Sequence, residues 1–367
     1  MTVRPILSAF QSDGLALDFA RKGDLQVACL CQAARALELP ARALRHEAAP
    51  GGAVNPGWWL AVDLPDRIAH FQAGRILVGP PGAPLRDCRH LNAGCRPMTI
   101  DKLASKIVLG ILGFPVPEGM AFPPHEAGAA IAHALSRRRP VCLKPVDGSL
   151  GEKVFPNLTD PDAIGDAAER IAAAGKRLLV EDHVPGQAVR FFYIRPRVVG
   201  IRVDRPAHVE GNGRSTILRL LARKNRLKYR KTGQGPVTIG ELERGMLARQ
   251  GLDETSIPAL GRRVHLREAS NAAMGGDSLV GIVGQHPGYA SHIERLCQAL
   301  PGMRIAAVDA ILSRPDEPPG VGNWAILELN GSPGMVQFRF PWAGEPLDLA
   351  PAILRSLLPG GGCHDGG

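Results

Sequence analysis

The sequence predicts α+β or α/β subdomains built over antiparallel sheets. Helical and extended stretches mix along the chain without strict alternation of strand and helix. The stretch AVRFFYIRPRVVGIRVDRPAHV carries two extended runs on either side of Arg195-Pro196-Arg197, the pattern of a long β-hairpin. A chain of 367 residues also exceeds one small core and suits two or three subdomains that share interfaces.

Taken in order, residues 24–47 read as helix interrupted by Pro40, and WWLAVDL and HFQAGRILVG read as short strands between turns. The character changes at RPMTIDKLASKIVLGILGFPVPEG, where a helix begins near Thr99 and Pro115 and Pro117 end the element. The first boundary is therefore placed close to residue 96, with 1–96 as an N-terminal α/β subdomain. A small Ala-rich helix at 125–136 leads into RRPVCLKPVDGSLGEKVF, a strand, a Gly-containing loop and a second strand, with Lys144 at the strand end. A helix at 161–175 precedes a strand at 177–182. Beyond the hairpin, 216–222 read as helix, 223–236 as a basic loop, 238–251 as helix and RRVHLREASN as strand. Helix 287–299, strand 304–312 and strand 323–330 complete the body, and 359–367 read as a disordered tail.

Composition bounds the partners. Hydrophobic residues make up 45% of the chain, which argues for a folded core, and the net charge of +9 favours anions without choosing between nucleotides and polyanions. Seven cysteines occur without a Cys-x-x-Cys pair, so neither a disulfide framework nor a zinc site is indicated. No secretory signal is apparent, and no window reaches the roughly 20 apolar residues that cross a bilayer, so the expected location is the cytoplasm.

The chemistry-bearing residues come in short clusters. In AILELNGSPGM, Glu328 and Asn330 stand two residues apart on one strand and project to one face. With Asp309 from MRIAAVDAIL they supply hard oxygen ligands suited to Mg²⁺ shared with phosphates. Spacing alone leaves this reading level with that of ordinary polar strand residues. In KPVDGSLG, Lys144 at a strand end beside a small-residue turn can neutralise a phosphate, although neither the P-loop nor the Rossmann pattern is present. VEDHVPGQAVR offers backbone groups to a purine edge and Arg190 to an anion; HLREASNAAMGG offers Arg267 and Asn271, types that stabilise developing negative charge. Each of these also reads as a plain strand end or loop. RKNRLKYRK, with six basic residues in nine, reads first as a solvated loop, then as a phosphate or acidic-substrate contact, and third as an RNA contact.

Singly weak, these clusters are specific in their order. Lys102, Lys144, Glu181, Arg190, Arg267, Asn271, Asp309, Glu328 and Asn330 follow the order of functional positions in ATP-grasp carboxylate–amine ligases. TIDKLASK and LELNGSPGM resemble segments of D-alanine–D-alanine ligases. RPAHVEGNGRSTILRLLARKN, HLREASNAAMGG and LELNGSPGMVQFRFPWAGEPLDLAPAI resemble the ATP-grasp module of cyanophycin synthetases more closely, and that of bifunctional glutathione synthetases is similar.

The resemblance covers roughly residues 98–358 and implies an ATP-grasp domain at 97–358, two α+β subdomains clasping ATP, with a lid subdomain at about 125–186. It implies that Lys102 and Lys144 contact phosphates beneath a loop carrying Ser149, Gly151 and Lys153. Glu181, Asp182 and Val184 would meet the adenine, with Arg190 also on the nucleotide. Asp309, Glu328 and Asn330 would hold Mg²⁺, two ions by analogy, with Mn²⁺ as a substitute. Arg267 and Asn271 would be catalytic, and Ser332 and Gly334 would sit beside an amino-acid substrate.

The implied activity is ADP-forming ligation of a carboxylate, activated as an acyl phosphate, to the amine of an amino acid or small peptide. The implied partners are such small molecules, with a homodimer left open and neither membrane nor nucleic acid expected. Two departures stand out: Ala188 occupies the position of the usual ribose-binding acid, and Leu150 and Lys153 replace lid glycines. These departures motivate the alternative of a nucleotide-binding protein without ligase activity. A ligase acting on a protein or RNA-associated partner is the third reading.

Overall fold

The computed structural model describes residues 5–47, 54–148, 152–281 and 284–361. The N-terminal part opens with two helices, α1 (Gly14–Arg21) and α2 (Leu25–Ala36). Each is started by an aspartate: Asp13 accepts from the Ala16 amide at 3.0 Å and Asp24 from the Val27 amide at 3.0 Å. An antiparallel meander follows: β1 (Ala41–His46), β2 (Gly57–Asp63), β3 (Ile68–Gln72), β4 (Arg75–Gly79) and β5 (Arg89–His90), in that order across the sheet. The expected helix over 24–47 therefore ends early. ARALRH has helix-forming composition, but beyond Glu38 (φ 55°) and Pro40 it pairs with β2 from Ala41↔Val62 to His46↔Gly57. Tertiary pairing overrides propensity here.

A 3₁₀ turn (Ala93–Thr99) leads into α3 (Lys102–Ile111), whose N-cap Asp101 accepts from the amides of Leu103 and Ala104. A four-stranded antiparallel sheet comes next, from β6 (Gly119–Phe122), β7 (Val141–Pro145), β8 (Phe155–Leu158) and β9 (Leu178–Asp182), in the order β6-β9-β7-β8. Helices α4 (Ala127–Ser136) and α5 (Pro161–Ala172) cover one face, where Val141, Leu143, Leu178 and Val180 enter a common apolar cluster. Alternation then turns Cys142, Lys144 and Glu181 to the opposite face.

The hairpin of β10 (Gln187–Ile194) and β11 (Arg197–Arg205) turns where the sequence indicates. Next come β12 (His208–Glu210), α6 (Ile217–Thr232), α7 (Glu241–Arg249), β13 (Arg263–His265), β14 (Asp277–Val280) and α8 (Gly288–Ala299). The chain continues through β15 (Ile305–Leu312), β16 (Trp324–Asn330), α9 (Val336–Arg339), β17 (Ala343–Gly344) and α10 (Ala350–Ser356). A six-stranded sheet in the order β16-β15-β10-β11-β14-β17 forms the centre of the molecule.

The basic loop expected at 223–236 is instead mostly helix α6, bracketed by Thr216 at its N-cap and Gly233 in the left-handed conformation (φ 70°) after its last turn. Arginine and lysine are good helix formers. Buried Ile217, Leu221, Lys228 and Thr232 give the helix an inner face, and Lys228 is held at Asp277 (3.0 Å). RRVHLREASN is strand only over β13.

One face of the six-stranded sheet packs on α8, burying Val189, Phe191, Val308 and Ile326 among others. At the far end of the other face, Phe192, Ile194 and Ile305 join a cluster that also takes Phe71 and Ile76 of the meander and Ile353 and Leu354 of α10. The apolar core thus runs across the expected boundary near residue 96. Five of the six described cysteines are buried and all six are free thiols. Among the described residues no helix is long and apolar enough to cross a membrane. Most of the expected tail, 362–367, lies outside them.

Asn92 ties the two parts together. It is 1% exposed, donates to the carbonyls of Ile305 (2.7 Å) and Gly331 (2.9 Å), and accepts from the Arg304 amide (2.9 Å). Asn92→Ala leaves these buried groups unpaired and is expected to cost about 3 kcal/mol. A urea-unfolding midpoint equal to that of the wild type would show that the clamp contributes nothing.

Candidate functional site

The six-stranded sheet forms the floor of a cavity of about 1290 Å³. Strand register brings four charged residues into one row across it. Glu328 on β16 lies opposite Asp309 on β15, Asp309 opposite Arg190 on β10, and Arg190 opposite Arg202 on β11. The β15–β16 register shifts at this point, so that Asp309 pairs with Glu328 while Ala310 pairs with Ile326, leaving Leu327 as the extra residue of a bulge. Such bulges re-aim side chains beside functional sites. Arg190 grips Asp309 in a bidentate pair (Nε 2.6 Å, Nη2 2.5 Å), and buried Arg202 does the same to Asp204 (2.9 and 2.7 Å).

The two carboxylates of the row are pushed apart in acidity. Burial raises Asp309, but the Arg190 guanidinium outweighs it and holds the carboxyl below its usual range. Burial and the Asp309 charge raise Glu328, against the pull of Lys102, whose Nζ lies 3.3 Å from it. Asn330 completes the group and accepts from the Ser332 amide at 2.9 Å, which leaves its carbonyl oxygen a second lone pair.

The four-stranded sheet forms the opposite wall. There Glu181, 3% exposed, stands between Lys144 (2.5 Å) and Lys106 (2.7 Å). Burial raises Glu181, yet the two ammonium groups win and hold it low; burial lowers Lys106, and Lys144 is raised because Glu181 outweighs its burial. Lys102 at the start of α3 donates to the Gly148 carbonyl at 2.6 Å, so it bridges this wall to the floor.

Of the residues singled out in the sequence, Lys102, Lys144, Glu181, Asp182, Val184 and Arg190 line the cavity. So do Asn271, Asp309, Glu328, Asn330, Ser332 and Gly334. Arg267 and Lys153 do not. The Arg267 guanidinium turns to Glu243 on α7 (2.7 and 2.6 Å). Ser149 and Gly151 lie outside the described residues. Two more side chains carry ion pairs within the protein: Arg190 with Asp309, and Asp182 with Arg137 (2.8 and 2.6 Å). Ala188 is in the wall, so no carboxylate is supplied there.

Sequence reasoning missed several residues that line or support the site. Lys106 had a signal, since it stands four residues after Lys102 in TIDKLASK and shares its helix face. Gln26, Gly74 and His90 had none, because they act from the N-terminal part on the turn after β16. Gln26 donates to the Pro333 carbonyl (3.0 Å) and accepts from the Met335 amide (2.9 Å). His90 Nδ1 accepts from the Asn92 amide, so its Nε2–H donates to Ser332 Oγ at 3.1 Å. Gly74 packs so closely on this turn that a Cβ would stand 2.0 Å from the Ser332 carbonyl oxygen.

The fold matches that of a known protein. The solved bifunctional glutathione synthetase from Pasteurella multocida superposes with a TM-score of 0.60 at 24% identity, over 91% of this chain and 44% of that one. The chain has the ATP-grasp fold. It is 31% identical over 269 residues to the glutathione biosynthesis bifunctional protein GshAB of Mannheimia succiniciproducens, covering 71% of this chain and 35% of that protein. It is 29% identical over 269 residues to cyanophycin synthetase of Geminocystis herdmanii, covering 71% and 30%. It is thus a homologue of these ATP-grasp proteins, and it spans about a third of their length. No family model matches the chain.

Glu181→Gln leaves Lys144 and Lys106 without a counter-charge and is expected to cost about 3–5 kcal/mol. Glu181 is held below the ordinary carboxyl pKa of 4.5, so its contribution is present above that value and is lost as pH falls through the lower folded value. Thermal melts should therefore show a weaker loss of stability in acid for the variant than for the wild type. Parallel acid profiles would disprove the buried triad.

Proposed function

We propose that this chain is an ATP-dependent ligase that activates a carboxylate as an acyl phosphate and couples it to the amine of an amino acid or small peptide, releasing ADP and phosphate. The observation that carries the reading is the Asp309–Glu328 pair sharing one cavity with Lys102, which touches Glu328, and Lys144. Two carboxylates at one level of a sheet repel unless a cation shares them, and lysines on the facing wall suit the phosphates such a cation would accompany.

Among the described residues no three His, Cys, Asp or Glu side chains gather into a metal site. The donor set nonetheless fits Mg²⁺, which takes one or two carboxylates and keeps its remaining positions for water and substrate phosphates. Asp309, Glu328 and Asn330 would hold it, and it would supply charge neutralisation between the phosphates. Lys102 and Lys144 align and neutralise the phosphate chain against the incoming carboxylate, the main task in phosphoryl transfer. Backbone groups at 182–184 meet the adenine edge. Asn271 stabilises the acyl phosphate and the tetrahedral intermediate, and Arg267 joins it only after leaving Glu243. The turn at Ser332 and Gly334 seats the amino-acid substrate.

Nucleotide binding without ligation is the second reading, favoured by Ala188 in the wall and by the engaged Arg267. An ADP-release screen over amino-acid pairs, with products read by mass, separates the two. A folded chain that binds ATP and releases ADP with none of them refutes the ligase.

Glu328→Gln is expected to lower turnover by at least about 100-fold, as loss of a group acting on developing charge does. The same variant should keep its melting temperature, because it also removes the repulsion with Asp309. Mg²⁺ should raise the melting temperature of the wild type and leave that of Glu328→Gln unmoved. Normal turnover in the variant would remove Glu328 from the reaction.

A further inference from the structure

The cavity extends past the carboxylate row to an end wall made by the N-terminal part of the chain. Two guanidinium groups stand there, Arg75 at the start of β4 and Arg96 in the 3₁₀ turn after β5, together with His90 and Ser332. Two arginines of the floor are engaged there: Arg190 holds Asp309 and Arg202 holds Asp204. Arg75 and Arg96 are different. Among the described residues neither side chain has a carboxylate or carbonyl partner, and Arg75 feels the positive charge of Arg96. Both are half-buried, so water screens that repulsion incompletely.

The neighbour between them adds no negative charge. His90 uses Nδ1 to accept from the Asn92 amide and Nε2–H to reach Ser332. Burial, then Arg96 and Arg75, lower its pKa to about 4, so the ring stays neutral near pH 7. This end of the cavity therefore presents uncompensated positive charge, two planar donor forks and a hydroxyl oriented by a fixed imidazole. Guanidinium forks match the two oxygens of a carboxylate.

We propose that Arg75 and Arg96 form a subsite for a free carboxylate of the substrate, one that is not activated in the reaction. The inference rests on the ligase reading and deepens it. The substrate is an amino acid or short peptide whose spare carboxylate is held by the N-terminal part of the chain. Its reacting group then points back along the Ser332 turn toward Lys144 and the Asp309–Glu328 pair. A substrate lacking that carboxylate leaves the two cations facing each other unrelieved, so the subsite selects by charge.

The test uses the full chain and the amino-acid pair with the fastest ADP release. Arg75→Met and Arg96→Met should each raise KM for the carboxylate-bearing substrate about 10- to 100-fold, as the loss of a charge-assisted hydrogen bond does. KM for ATP should stay within about twofold, because the phosphates lie elsewhere. Arg→Lys at either position should give an intermediate KM, since the charge is kept and the fork is lost. The same substrate with its spare carboxylate capped as the methyl amide should be used equally poorly by the wild type and both variants.

A rise in KM for ATP alone would give these arginines to the nucleotide, and an unchanged KM for both would leave them no role; either result overturns the proposal. If no amino-acid pair supports ADP release, the ligase reading has failed by itself and the subsite is tested by binding alone. Succinate should then raise the melting temperature of the wild type more than succinamide does, and the Arg75→Met, Arg96→Met double variant should show no such difference. Equal shifts in the wild type and the double variant overturn the subsite independently of any turnover.

Discussion

Two carboxylates held side by side on a sheet govern the rest of the site. Asp309 and Glu328 are cross-strand partners, the placement in which like charges destabilise a sheet most. In a buried site, where water screens poorly, that repulsion is strong. Arg190 offsets it by taking Asp309 in a fork, and Lys102 offsets it from the side by approaching Glu328. The pair ends up asymmetric, one carboxyl held low and the other raised, so Glu328 is the member most open to a further cation. The facing wall has the reverse imbalance, since two lysines share the single carboxylate of Glu181. A floor short of cations opposite a wall short of anions suits a ligand that brings both, which is what a polyphosphate with its counter-ion does.

Strand register is what creates this separation of charge. In sequence Glu328, Asp309, Arg190 and Arg202 are far apart, and only the order β16-β15-β10-β11 sets them at one level. Because side chains alternate along a strand, a slip of one residue in β10 would turn Arg190 toward α8 and put Phe191 into the cavity. The apolar residues guard against it: Val189, Phe191 and Tyr193 fill the α8 side of the sheet, and Phe192 and Ile194 fill the core shared with the N-terminal part. The packing that stabilises the fold also holds the charges in register, so the two demands select the same residues.

Some of this was legible in the sequence because it is local. Glu328 and Asn330 share a face by strand alternation alone, the start of α3 was placed within a few residues, near Thr99, and Arg195-Pro196-Arg197 marks the hairpin. What was not legible depends on distant partners. ARALRH became a strand because β2 needed an edge partner, a fact absent from its own composition. The basic run of α6 read as a loop because its inner face is closed partly by a lysine, Lys228, whose charge Asp277 satisfies 49 residues away. Arg267 could be chosen as catalytic from its residue type, but its partner Glu243 sits on a separate helix 24 residues earlier. Arg190 likewise meets an aspartate 119 residues on, so its ion pair could not be read locally.

The N-terminal part follows a different logic from the floor. Its contacts with the Ser332 turn come from Gln26, Gly74, His90 and Asn92, four residues from separate elements that share no motif. They fix the position of the turn without touching the Asp309–Glu328 pair. The end wall can therefore change its charge and shape through Arg75 and Arg96 while the floor stays as it is. A change on the floor disturbs an ion network in which each group compensates its neighbour, whereas a change at the end wall alters two side chains with no carboxylate or carbonyl partner among the described residues. The proposed substrate subsite thus lies where substitution costs the fold least, and the groups proposed to act on phosphate lie where it costs most.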